Sequence, residues 1–112
     1  MQAVSNIEQS KRLLSLLGSN RTADFWRTPT VGGYVVSTEK KSNSTPAWSV
    51  AVLSDMLYEY DDEEYGSAIP FINTTEETVY FEANGFLVRD FADSSDVIDN
   101  LIDAIQWLKE NE

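Results

Sequence analysis

Residues 78–91, Thr78-Val79-Tyr80-Phe81-Glu82-Ala83-Asn84-Gly85-Phe86-Leu87-Val88-Arg89-Asp90-Phe91, decide the fold class. Two runs rich in β-branched and aromatic residues flank Asn84-Gly85, a pair suited to a two-residue type I′ turn because both positions need positive φ. The stretch predicts an antiparallel hairpin, with Phe81 opposite Val88 on one face and Tyr80 opposite Arg89 on the other.

Downstream, a helix is expected over residues 93–109. Acidic and hydroxyl residues open it, as capping and the helix dipole favour, and Val97, Ile98, Leu101, Ile102, Ile105 and Leu108 form its apolar stripe. Asp96, Asp99, Asp103 and Glu110 occupy much of the remainder, and Trp107 is read as the edge of the core. Upstream, residues 68–72 hold Pro70, which suits an edge strand or a loop better than a central strand. Asp61-Asp62-Glu63-Glu64 is a charge run closed by Tyr65-Gly66. Residues 47–54 form a nearly continuous apolar run around Trp48, expected to be a central strand buried on both faces, and residues 56–60 extend it or start a neighbour.

Residues 39–46 are polar and end in proline, which predicts an exposed loop. Residues 30–38 read as a strand in which Gly32-Gly33 marks a bulge or a close backbone approach. Residues 20–28 look irregular, with Phe25 and Trp26 anchoring them. A helix over residues 5–17 is suggested by a capping box from Ser5 to Glu8, a face of Ile7, Leu13, Leu14 and Leu17, and a stop at Gly18. Glu8 and Asp24 break the acid-poor pattern of an organelle-targeting segment, so this is read as a core helix. The three Asn-x-Thr patterns at Asn20, Asn43 and Asn73 are read as turns. The order helix, antiparallel strands, helix predicts a single α+β domain over residues 1–112: a two-layer sandwich with an N-terminal helix, a sheet of about four or five strands and a C-terminal helix.

Composition narrows the function. The 112 residues are 42% hydrophobic and 12% aromatic, enough apolar side chain to fold one domain. There is no cysteine and no histidine. That removes disulfides, thiolate zinc sites and thiol nucleophiles, together with the commonest general base and metal ligand. The apolar runs fall far short of the roughly 18 residues a membrane helix needs. The acids at 61–64 lack the alternating spacing and central glycine of a calcium loop, so no metal and no cofactor are expected. No Gly-x-Ser-x-Gly elbow, phosphate loop or dinucleotide fingerprint occurs, and a catalytic carboxylate pair would need a cleft that a domain of this size seldom provides. An enzyme is not expected.

Charge is the main clue. The net charge is −11, from 8 bases and 19 acids. Residues 1–56 hold six bases and four acids (+2), whereas residues 57–112 hold two bases and fifteen acids (−13). Such a field repels nucleic acid and anionic lipid and draws basic protein surfaces. Within it, acids alternate with aromatics in Tyr58-Glu59-Tyr60-Asp61-Asp62-Glu63-Glu64-Tyr65, which joins contact area to hydrogen-bonding capacity. The expectation is a small cytoplasmic protein-binding inhibitor, comparable in charge and size to immunity proteins and phage-type anti-defence proteins. It would bind a nuclease, toxin or other nucleic-acid-binding protein through Tyr58–Tyr65 and through Asp96, Asp99 and Asp103, as a monomer or homodimer. The alternative is a secretion-type chaperone dimer holding a client segment; a third class is a structural subunit of a larger complex.

Overall fold

A computed structural model describes residues 3–111. The chain is α+β, with a helix near each end and antiparallel strands between. In place of one sheet of four or five strands there are two sheets, of three and four strands. They lie in two compact units, Met1–Val52 and Leu53–Glu112. The boundary falls at the charge break: six bases against three acids give the first unit +3, and two bases against sixteen acids give the second −14.

In the first unit, α1 (Ile7–Leu17) begins one residue later than the expected capping box implies. Asn6 is the N-cap, accepting from the Gln9 N–H at 2.8 Å while the Gln9 side chain accepts from the Asn6 N–H at 2.9 Å. Ser5 is engaged elsewhere: its buried hydroxyl accepts from the Trp48 N–H at 2.9 Å and lies 2.8 Å from the Ser10 hydroxyl. Gly18 ends the helix in the left-handed region (φ 74°), as expected. The face of α1 that is most buried, Gln9, Ser10 and Leu13, is more polar than the expected leucine stripe.

Residues 20–28 are not wholly irregular, because β1 (Phe25–Thr30) starts there. It is central in a sheet of order β2-β1-β3, with β2 at Gly33–Ser37 and β3 at Thr45–Ala47. Gly32-Gly33 is neither a bulge nor a close approach. Thr30 pairs with Gly33, so Gly32 (φ 90°) sits in the hairpin turn, and a Cβ on either glycine would meet open space. The expected strand at 47–54 stops at Ala47. Ser49 accepts both from the Val52 N–H at 3.2 Å and holds Asp24, and α2 (Val50–Asp55) follows, carrying the chain into the second unit. Trp48 is fully buried, as a core residue should be, but between elements rather than inside a strand, with its indole N–H on Thr22 at 3.0 Å.

The second unit is an antiparallel meander, β4 (Tyr60–Asp62), β5 (Gly66–Asn73), β6 (Thr78–Ala83) and β7 (Phe86–Phe91), with α3 (Val97–Glu110) packed on β6 and β7. Strict alternation along β6 buries Val79, Phe81 and Ala83 and leaves Thr78, Tyr80 and Glu82 on the other face. The six apolar stripe residues expected on α3 are all buried. Pro70 lies inside β5, beyond the reach of β4, which pairs only with Gly66–Ala68, so the strand is locally an edge there and a missing N–H costs nothing.

The Asn84-Gly85 turn forms with φ 52° and 82°. Its register then slips: Glu82 faces Leu87, but Phe81 faces Arg89 and Tyr80 faces Asp90. A bulge at Val88 absorbs the extra residue. It moves Arg89 to the helix side, where the guanidinium lies 4.3 Å from the Trp107 ring centroid, and gives the outer face an acid instead.

Candidate functional site in the second unit

The pairing of β4 with β5 sets Tyr60 opposite the buried Ala68, which turns its ring toward the core. There it meets Trp107 edge-on at 4.8 Å and Phe81 at 5.2 Å. Beside this cluster lies an open cleft of about 370 Å³. Tyr58, Tyr60 and Trp107 supply aromatic walls, Asp61, Asp62 and Glu63 supply carboxylates, and Leu108 and Asn111 bring the C-terminal end of α3. That end carries partial negative charge from its last carbonyls, of which the Leu108 carbonyl accepts from the Tyr58 hydroxyl at 3.3 Å. Among the described residues no basic side chain lines the cleft itself, although the Arg89 guanidinium already lies over the Trp107 ring that forms one of its walls. Aromatic faces, carboxylates and a helix C-terminus together favour a cationic guest such as a lysine or arginine side chain.

The site residues expected from sequence fall in four places. Tyr58, Tyr60, Asp61, Asp62 and Glu63 converge on the cleft. Glu59, Glu64 and Tyr65 flank it without lining it: Glu59 accepts from the Ser67 hydroxyl at 2.9 Å, and the Tyr65 ring lies against Phe86. Asp96 and Asp99 are at the opposite end of α3, about 16 Å and about 12 Å from Trp107 along the axis at roughly 1.5 Å per residue. They hold local structure: Asp96 caps the helix through the Ile98 N–H at 2.8 Å, and Asp99 accepts from Ser94 at 2.9 Å. Asp103 stands one turn before Trp107. Asp62 has two roles, since it also accepts from the Glu64 and Tyr65 N–H groups, both at 3.0 Å, and so shapes the β4–β5 turn.

Sequence reasoning missed a second concavity, of about 360 Å³, on the outer face of the same sheet. Glu76, Glu82 and Asp90 ring Tyr80 and Leu87 there, and Tyr80 stacks on Phe71 at 5.6 Å. The alternation of Tyr80 and Glu82 was the available signal; the position of Asp90 was not legible, because it depends on the bulge. Among the described residues no group of carboxylates is arranged to hold a metal ion, and no helix is long and apolar enough to cross a membrane. Comparison with family models, curated proteins and solved structures yields no match to this chain.

Proposed function

We propose that this protein is a small inhibitor, acting in the cytoplasm, whose acidic second unit covers a basic, nucleic-acid-binding surface of a target protein, in the manner of immunity or anti-defence proteins. The observation that carries this reading is the coincidence of charge with structure: a unit at −14 holds an aromatic, carboxylate-lined cleft, while the unit at +3 holds only three of the nineteen acids. Long-range attraction would speed the encounter, and Tyr58, Tyr60 and the cleft acids would seat a protruding basic side chain of the target. The chaperone alternative draws support from the exposed Ile69, Phe71 and Leu87 on the outer sheet face, an apolar surface on which a client could lie.

The test is capture of partners from source cells at low salt, followed by measurement on the purified partner. An inhibitor abolishes the partner's nucleic-acid binding at equimolar ratio, and the paired change Asp61→Asn with Glu63→Gln slows association severalfold at about 50 mM salt, and less at about 300 mM. A partner that keeps its nucleic-acid binding in the complex, or an association rate indifferent to both charge and salt, overturns the reading.

A further inference from the structure

A sheet edge exposes unpaired backbone groups, and folded proteins guard such edges with short length, charge, proline or bulges. Three of the four strands at sheet edges in the described residues are guarded. β3 is three residues long and holds Pro46. β4 is also three residues long and carries Asp61 and Asp62. β7 is bulged at Val88 and carries Arg89 and Asp90. The fourth, β2, has none of these devices: residues 30–38, Thr-Val-Gly-Gly-Tyr-Val-Val-Ser-Thr, contain no charge and no proline.

Proline also tells which way the β2 backbone faces. Pro29 is opposite Tyr34 and has no N–H to give, so that pair is the non-hydrogen-bonded kind. The neighbouring pairs, Thr28 with Val35 and Thr30 with Gly33, then exchange the ladder bonds. By alternation the N–H and C=O groups of Tyr34 and Val36 point outward at the free edge. The side chains there are open too, with Tyr34 and Val35 each 51% exposed and Val36 39%. Beyond Arg27, β1 has no partner except β2, and a two-stranded ribbon on its own is marginal in water.

We infer that β2 is a self-association strand: two copies of this chain pair their β2 edges antiparallel about a two-fold axis through Val35, joining two three-stranded sheets into one. The sequence is self-complementary in that register. Tyr34 faces Val36 of the second copy and Val36 faces its Tyr34, giving two aromatic–β-branched pairs on one face. Val35 faces its own copy on the other face, and Gly33 faces Ser37. The two outward-facing pairs exchange about four N–H···O bonds, and the flanking Gly32 and Thr38 are placed to add more. Within the paired strands no charge meets a like charge, and the strand lies in the +3 unit, where repulsion between copies is far weaker than between two −14 units. The pairing uses the first unit alone and does not rest on the inhibitor reading.

The experiment is sedimentation velocity of the full chain from about 1 to about 500 μM, the range in which small interfaces dissociate. The wild-type mass moves from monomer toward dimer across the series. Val35→Lys places two like charges opposite each other on the axis and weakens dimerisation at least about tenfold; Val35→Glu does the same. An equimolar mixture of the two variants recovers the dimer, because lysine then faces glutamate. Circular dichroism matching wild type shows that both variants are folded, as the half-exposed position of Val35 permits. The inference fails if wild type stays monomeric throughout the series. It fails equally if either variant alone dimerises like wild type, or if the mixture does not recover the dimer.

Discussion

Replacing Asn100 with alanine should destabilise the second unit selectively. Asn100 is fully buried on α3, donating through Nδ2 to the Glu77 carbonyl at 2.7 Å and the Ser94 carbonyl at 2.9 Å. Its Oδ1 accepts from the Ser94 N–H at 3.2 Å. One side chain thus ties together the helix, the segment leading into it and the β5–β6 turn. It also holds that turn in an unfavourable shape, because Glu77 sits at φ 58° without being glycine. Three neutral hydrogen bonds at roughly 1 kcal/mol each, with their partners left partly buried, put the loss at about 2–4 kcal/mol. That is a large share of the total stability of a small protein, and corresponds to roughly 30- to 700-fold in the folding equilibrium.

The assay is urea denaturation of 5-fluorotryptophan-labelled protein followed by fluorine NMR. Trp26 and Trp48 report the first unit and Trp107 the second, so the Trp107 midpoint should fall furthest. Asn100→Asp sharpens the test. At neutral pH it sets a buried carboxylate against two carbonyl oxygens and should cost more than alanine. Burial raises the folded-state pKa of such an acid above its unfolded value, so the folded state binds the proton more tightly. The excess cost is therefore present at high pH and shrinks as pH falls through the folded pKa toward the unfolded one. A loss under about 1 kcal/mol for alanine, or an aspartate variant equal to alanine at every pH, would refute the reasoning.

Ser5→Ala leaves the buried Trp48 N–H without its acceptor and should cost about 1–3 kcal/mol, read from the Trp48 resonance in the same denaturation. Arg89→Met removes the cation above Trp107; Arg89 is exposed, so stability should fall by less than about 1 kcal/mol while the Trp107 signal shifts clearly.

The parts of the fold that local chemistry dictates were legible in the sequence. Asn84-Gly85 specifies its turn through backbone sterics alone, Gly18 its helix stop, and the α3 stripe its buried face. What failed depended on partners distant in sequence. Ser5 looked like a cap until Trp48 and Ser10 claimed its hydroxyl, and 47–54 looked like a strand because apolar runs of that length do not distinguish strand from helix. Ser49 directly before Val50 was a usable cap signal for α2. The slip at Val88 had no local signature, yet it puts Arg89 on the helix-side face and Asp90 on the outer one, so it decides the charge of both sheet faces. The acidic-aromatic stretch was legible as a stretch; that Trp107 would complete its cleft, and that Asp96 and Asp99 would not, required the length and direction of α3.

The same distinction bears on what the acidity is for. Several second-unit acids have local structural work: Asp62 in its turn, Asp96 at the N-cap, Asp99 on Ser94, Glu59 on Ser67, and Glu77 near the start of α3. Glu110 likewise accepts from Gln106 at 3.0 Å, yet such local work does not by itself call for sixteen acids in one unit. Solubility is a property of the whole chain and would be served equally by acids spread over both units. It does not require that one unit be kept at +3 while its neighbour reaches −14. A segregated field, unlike a uniform one, orients an approaching basic surface toward one unit, and that favours a binding role over a solubilising one. It also yields a discriminating measurement. Moving four acids from the second unit to exposed first-unit positions such as Ser42 and Asn43 keeps the net charge and the solubility, but should slow association with a basic partner. A solubilising role would leave that rate unchanged.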